Sequence, residues 1–219
     1  MKVSLCIKRQ SRGLTSGISD YHFDCPPQFT LIDCLDLISR EFDPTLAFRE
    51  NCFSGVCGEC GMRANGKDVL ACKVRLDSFD AAEIVVEPLK NHPVIRDLVI
   101  DRKAYFSRLL AAGATFYSDD EIPQTSAEEM KRAQQTTRCI HCGLCISACE
   151  AYPAHAEFVG PAAMAWTARF IEDPRDGAND RRRQLAASPQ GTSACVDCGL
   201  CDSVCPEHVA PFAAILRLR

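Results

Sequence analysis

Cys52, Cys57, Cys60 and Cys72 are spaced C-x4-C-x2-C-x11-C. Cys139, Cys142, Cys145 and Cys149 are spaced C-x2-C-x2-C-x3-C, and Cys195, Cys198, Cys201 and Cys205 repeat that run with Pro206 behind it. Twelve of the fifteen cysteines fall into these three groups. Thiolates at such spacings hold iron–sulfur clusters: the first is the plant-type [2Fe–2S] pattern and the other two are the bacterial-type [4Fe–4S] run. In two-cluster ferredoxins the fourth cysteine of each run ligates the other cluster. The expected sets are therefore Cys139, Cys142, Cys145 and Cys205 for one [4Fe–4S] cluster, and Cys149, Cys195, Cys198 and Cys201 for the second. Three such centres in one chain can pass single electrons along a line, so the sequence reads as an electron conductor.

Two other uses of cysteine fit less well. A disulfide framework asks for a secreted context. Zinc usually takes two C-x2-C pairs, or cysteine with histidine. Cysteines recurring at steps of three, twice, suit a cubane whose several irons must be reached from one short loop. His141 lies inside such a run, where it could tune a cluster by hydrogen bonding or face solvent. The other four histidines show no mutual metal-site spacing. Cys6, Cys25 and Cys34 sit in strand or helix patterns and read as small apolar core residues.

These centres need scaffolds. The chain has 219 residues, 47% of them hydrophobic, enough for one or two domains with ordinary cores. A net charge of -4 argues against nucleic acid, whose binders are strongly basic. No apolar run approaches the ~18 residues of a membrane span, and the first residues lack the apolar core of a signal peptide. A cytoplasmic chain is expected, free or peripheral on the cytoplasmic face of the inner membrane through partner subunits.

The pattern is α+β in two domains. Residues 1–92 read as a β-grasp [2Fe–2S] ferredoxin-like domain. Val3, Leu5 and Ile7 alternate as a strand. Gly13 and Gly17 mark a turn, and Tyr21, Phe23 and Cys25 complete the hairpin. Thr30 caps a helix with Leu31, Ile32, Leu35 and Ile38 on one face. Short strands are expected at Leu46–Phe48, at Val69–Cys72 and at Ile84–Val86. The first cysteine group occupies the loop from Asn51 to Gly61, where Gly55, Gly58 and Gly61 are expected at positive φ, bringing backbone N–H groups toward the cluster sulfurs. Residues 93–219 read as an α-helical ferredoxin domain with two further clusters. Asp97–Ala112 reads as a helix ended by Gly113, Ser126 and Glu129 as a capping box, and Gly160-Pro161 as a helix start. Trp166 reads as core. The basic run Arg181–Arg183 reads as a solvated helix face, and Pro211–Arg219 as a last helix.

The segment from Phe48 to Met62 resembles the [2Fe–2S] loop of the iron–sulfur subunits of succinate dehydrogenase and fumarate reductase. Asn65–Lys67 with Leu70–Cys72 resembles that family's strand carrying the fourth ligand. Glu87–Val99 is similar to its interdomain link, and Phe158–Ala162 with Arg169–Asp176 to the stretch between its cysteine runs. The resemblance covers nearly the whole chain in order. It implies a partner flavoprotein bearing FAD, and electrons passing between that flavin and the Cys52, Cys57, Cys60 and Cys72 cluster. The Cys139, Cys142, Cys145 and Cys205 cluster would come next. The Cys149, Cys195 and Cys201 cluster would be terminal, beside a quinone in relatives with a membrane-anchor subunit. No residue of this chain would be catalytic, and none would bind a cofactor beyond the cluster ligands.

Departures from the family bear on that terminal cluster. Cys198 stands where many relatives lack cysteine and hold [3Fe–4S]; a fourth thiolate favours [4Fe–4S], with [3Fe–4S] the alternative should Cys198 not ligate. Glu150 replaces the usual proline, Ala151–His155 replaces a tryptophan-containing quinone stretch, and Val196 stands at a frequent histidine position. No quinone residue is carried over. The sequence thus points to the electron-transfer subunit of a succinate dehydrogenase or fumarate reductase-type complex. The alternative is the same relay in a different flavin- or thiol-linked oxidoreductase that does not use quinone.

Overall fold

Alternation of apolar and polar residues writes the first hairpin. β1 (Lys2–Arg9) buries Val3, Leu5 and Ile7 and pairs antiparallel with β2 (Gly17–Asp24), with Leu5 opposite Tyr21. The structure is a computed structural model describing residues 1–11, 17–79, 83–118 and 124–219, so the turn expected at Gly13 lies outside the described residues.

α1 (Leu31–Glu41) starts where expected. Thr30 accepts from the Asp33 backbone N–H, and the Asp33 carboxylate accepts from the Thr30 backbone N–H in return. β3 (Gly61–Ala64), β4 (Lys67–Leu70) and β5 (Ile84–Glu87) complete a five-stranded sheet of order β2-β1-β5-β3-β4. β1 and β5 run parallel and the other neighbours antiparallel. A hairpin, a helix and a central parallel strand make the β-grasp arrangement. Leu5, Ile7, Leu31, Ile32, Leu35, Ile38, Met62 and Val86 are its buried interior.

Two expected elements are replaced. Leu46–Phe48 is not a strand, and the helix expected from Asp97 begins only at α2 (Lys103–Ala111). Between them stands the hairpin of β6 (Val94–Arg96) and β7 (Val99–Ile100). Asp97 causes both changes. It sits at φ +48°, and its buried carboxylate accepts from Gln10 N (3.2 Å) and Ala47 N (2.9 Å) and pairs with Arg9 Nε at 3.0 Å. Long-range partners fix this backbone, so the helical spacing of Leu98, Val99 and Tyr105 does not decide it.

Contacts divide the described chain into two units. The first runs from Met1 through the β6–β7 hairpin to Arg102 and includes Ile140–Leu144. The second comprises Lys103–Cys139 and Cys145–Arg219. Helices after α2 are α3 (Ala127–Thr137), α4 (Leu144–Ser147), α5 (Ala151–Ala154), α6 (Pro161–Ile171), α7 (Asn179–Ala187), α8 (Leu200–Ser203) and α9 (Pro211–Arg217). The Ser126–Glu129 capping box opens α3, and Gly113 follows α2 at φ +68°. α6 is the axis of the second unit. Its small residues Ala162, Ala163, Ala165 and Ala168 are buried, and it packs against α2, α3, α7 and α9.

The basic run is not wholly a solvated face. Arg182 is 2% exposed, paired with the buried Asp176 and donating to Gly113 O (3.2 Å) and Thr115 O (2.6 Å). Cys25 and Cys34 are buried as expected, but Cys6 is only half-buried. Leu5 and Ile7 point inward, so strand alternation turns Cys6 to the opposite face. Trp166 packs beside the second unit's core, 5.7 Å from the Phe170 ring.

Candidate metal centres

The first cysteine group occupies the coil before β3 and the turn after β4. Phe53, Gly55 and Gly58 stand at φ +54°, +83° and +73°, winding the chain tightly around the thiols. The backbone N–H of Ser54 donates to Cys52 Sγ at 3.5 Å. That donor, with the Ser54 hydroxyl and the Cys57 thiol, brings Cys52 down to about 5. Burial pushes Cys60 up to about 12, and its hydrogen-bond partner is Cys72. Cys60 and Cys72 are buried, and Cys52 and Cys57 half-buried. A [2Fe–2S] rhomb asks for two thiolates on each of two irons, and this donor set fits it. Cys52 is half-buried, and Phe53 (51%) and Val56 (65%) beside it are exposed.

Gly61 departs from expectation by opening strand β3. Its reason is crowding: an added Cβ would lie 3.0 Å from Leu144 Cδ1 and 3.1 Å from Cys142 O. Gly58 is tighter still. A Cβ there would meet Ile140 O at 2.6 Å and Cys142 Cα at 2.9 Å. The Cys57–Cys60 loop therefore lies directly on the turn that carries Cys142.

A small pocket joins three cysteines of the third group to the last cysteine of the second. Cys149, Cys195, Cys198 and Cys201 all line it, with Phe158, Pro161, Phe212 and Ile215 among its apolar walls. Burial raises the Cys149, Cys195 and Cys201 thiols, while backbone N–H groups of Tyr152 and Ala151 act on Cys149 in the opposite sense. Cys198 is the exposed member. The last cysteine of the first run is thereby gathered with the first three of the second. Four thiols around one apolar-walled pocket match a cubane's donor set. Among the described residues no three Cys, His, Asp or Glu converge as a single ion requires; a cubane instead takes each thiolate on a separate iron.

Cys139 and Cys205 each pack on the small cluster of Ala165, Ala168, Val209 and Ala214. The Val209 backbone N–H donates to Cys205 Sγ at 3.3 Å. Cys145 packs at the edge of the larger core of the second unit, and Cys142 belongs to the Ile140–Leu144 stretch. His141 is half-buried at φ +54°, and burial, followed by the Arg102 charge, lowers its pKa. Burial likewise lowers His92, whose Nε2 lies 3.5 Å from Gly143 O.

Sequence reasoning missed Arg102 and Glu59. Arg102 Nη1 donates to Glu59 Oε1 at 2.8 Å and Nη2 donates to His141 O. Arg49 Nη1 donates to the other Glu59 oxygen at 3.2 Å. An acidic residue inside C-x2-C was the one visible signal, and it names no partner.

Two domain families match the chain: "2Fe-2S iron-sulfur cluster binding domain" over residues 4–107 and "4Fe-4S dicluster domain" over residues 135–209. The fumarate reductase iron–sulfur subunit of Mycobacterium tuberculosis is 38% identical over 206 residues, covering 91% of this chain and 83% of the relative. That of Haemophilus influenzae is 34% identical over 216 residues, covering 90% and 83%. A chain of the Mycobacterium smegmatis Sdh1 complex in the apo form superposes with a TM-score of 0.89 at 27% identity, covering 99% of this chain and 95% of that one.

Proposed function

Because the chain belongs to the family of succinate dehydrogenase and fumarate reductase iron–sulfur subunits, the non-catalytic electron-transfer members of oxidoreductase complexes, we propose that it holds three clusters and connects a flavoprotein to a second redox partner. Cys52, Cys57, Cys60 and Cys72 hold the [2Fe–2S] centre. Cys139, Cys142, Cys145 and Cys205 hold a [4Fe–4S] centre. Cys149, Cys195, Cys198 and Cys201 hold a second [4Fe–4S] centre rather than [3Fe–4S], because four thiols line its pocket. That pocket is the observation carrying the reading, since two distant cysteine runs meet there.

When bound, the clusters supply reversible one-electron chemistry at potentials their surroundings set. The rest falls to the protein. Backbone N–H groups at Cys52, Cys149 and Cys205 favour negative charge on those sulfurs. Phe158, Pro161, Phe212 and Ile215 wall the Cys149, Cys195, Cys198 and Cys201 site with apolar surface. Exposed Phe53 and Val56 offer apolar surface beside Cys52 for an FAD-bearing flavoprotein. Exposed Val196 and Leu200 do the same beside Cys198 for the second partner, a quinone site on an anchor subunit or another acceptor. No helix among the described residues is long and apolar enough to cross a membrane.

Isolation of the native complex tests this. The expected result is a co-purifying flavoprotein, with succinate reducing the [2Fe–2S] centre and no [3Fe–4S] paramagnetic signal in anaerobically oxidised material. A flavoprotein without succinate or fumarate activity would move the relay to a different dehydrogenase. A stable, partnerless monomer would overturn the proposal, and a strong [3Fe–4S] signal would remove Cys198 from the ligand set.

A further inference from the structure

We infer that Arg102 is a positioning residue that clamps the Cys57–Cys60 loop to the Ile140–Leu144 turn and thereby sets the gap between the two centres those segments ligate. The inference rests on the cluster assignment proposed above. One guanidinium spans both segments, with Nη1 on Glu59 Oε1 at 2.8 Å and Nη2 on the carbonyl of His141. The Arg102 side chain is 12% exposed and Glu59 is 30% exposed. The pair is therefore better shielded from solvent than a surface ion pair, whose contribution is small. Glu59 is fixed from its other oxygen by Arg49, so the carboxylate is held between two cations.

Backbone packing shows what the clamp holds. At Gly58 the loop lies so near Ile140 O and Cys142 that no side chain fits between them. Glu59 and His141 each sit next to a proposed ligand, Cys60 and Cys142 respectively. Any parting of loop and turn carries those thiolates apart. Electron hopping weakens steeply with distance, so a fixed gap is a functional quantity. A planar guanidinium can serve two acceptors at once in a fixed geometry, whereas an ammonium is a point donor on a flexible stem. Support of this kind, one shell out from the ligands, is what holds a metal site to its geometry.

The test uses the dithionite-reduced holoprotein. A fast-relaxing [4Fe–4S] paramagnet close by makes the [2Fe–2S] resonance harder to saturate with microwave power, and the effect falls steeply with separation. Arg102→Gln is expected to lower the half-saturation power while iron and sulfide per chain stay at wild-type values. Glu59→Gln, which keeps the His141 bond, is expected to lower it too, and Arg102→Lys should fall between Arg102→Gln and wild type. If Arg102→Gln loses its clusters, Glu59→Gln decides. Wild-type saturation in a fully loaded Glu59→Gln or Arg102→Gln protein overturns the clamp alone. Cluster loss in both variants also overturns it, because the contact would then serve folding and not spacing. Absence of any relaxation effect in the wild-type holoprotein would remove the clamp together with the cluster assignment beneath it.

Discussion

Arg182 shows how one side chain can join segments that the sequence keeps apart. Its guanidinium pairs with Asp176 and donates to the carbonyls of Gly113 and Thr115, and it lies 4.8 Å from the Phe170 ring centroid. Asp176 in turn accepts from Tyr117 N at 3.0 Å and Ala178 N at 2.9 Å. The chain leaving α2 is thus tied to the start of α7. Truncating one member of a buried pair strands the other charge, which costs about 3–5 kcal/mol. Arg182→Ala should therefore lower the holoprotein's free energy of unfolding in urea by an amount in that range. Arg181→Ala, on the exposed neighbour, should move it by less than about 0.5 kcal/mol. Equal effects from the two substitutions would show that the buried pair contributes nothing special.

Among the elements, the entry to α6 is the most constrained. Gly160 caps it at φ +96° and ψ 163°, a region open essentially to glycine alone. A Cβ there would stand 2.6 Å from Ile146 Cδ1 and 3.0 Å from Tyr152 Cε2. Ile146 follows Cys145, and Tyr152 lies three residues beyond Cys149, so any strain would reach both bacterial-type centres. Gly160→Ala should cost at least about 1–3 kcal/mol and lower the iron retained per chain after gel filtration. Wild-type iron content and an unmoved unfolding midpoint would refute this. The Gly160-Pro161 pair was legible in the sequence because local backbone chemistry decides it. So were β1, from alternation, and α1, from its capping box. The gathering of Cys149 with Cys195, Cys198 and Cys201 was legible from spacing. What stayed hidden depends on distant partners. Asp97 meets Ala47 and Gln10, Arg102 meets Glu59 and His141, and Arg182 sits buried inside a run of three arginines. Periodicity reports which face of an element is apolar; it does not report which charge a remote loop will meet.

For the whole molecule, the two units should respond differently when iron is withdrawn. The first has a five-stranded sheet with α1 and an apolar interior drawn from both. In the second, only Cys145 on α4 and Cys201 on α8 lie in helices, and α5 follows Cys149; all three helices have four residues. Helices that short are far below the ~12 residues at which isolated helices become even marginal in water. Their order must come from what they pack on and what their thiols grip. The proposed ligand sets cross-link residues 139–149 to 195–205, and because those loops are not preformed in the unfolded chain, cluster binding is folding free energy. Chelation, or brief acid treatment to strip iron, should therefore abolish cooperative melting of the second unit and lower the far-ultraviolet helical signal. The sheet of the first unit should lose only its cysteine loop, and limited proteolysis should then cut first after Arg102. A stripped protein that still melts cooperatively with its full helical signal would mean that α6 and its neighbours fold unaided, and that the cysteine loops are placed by the scaffold and not the reverse.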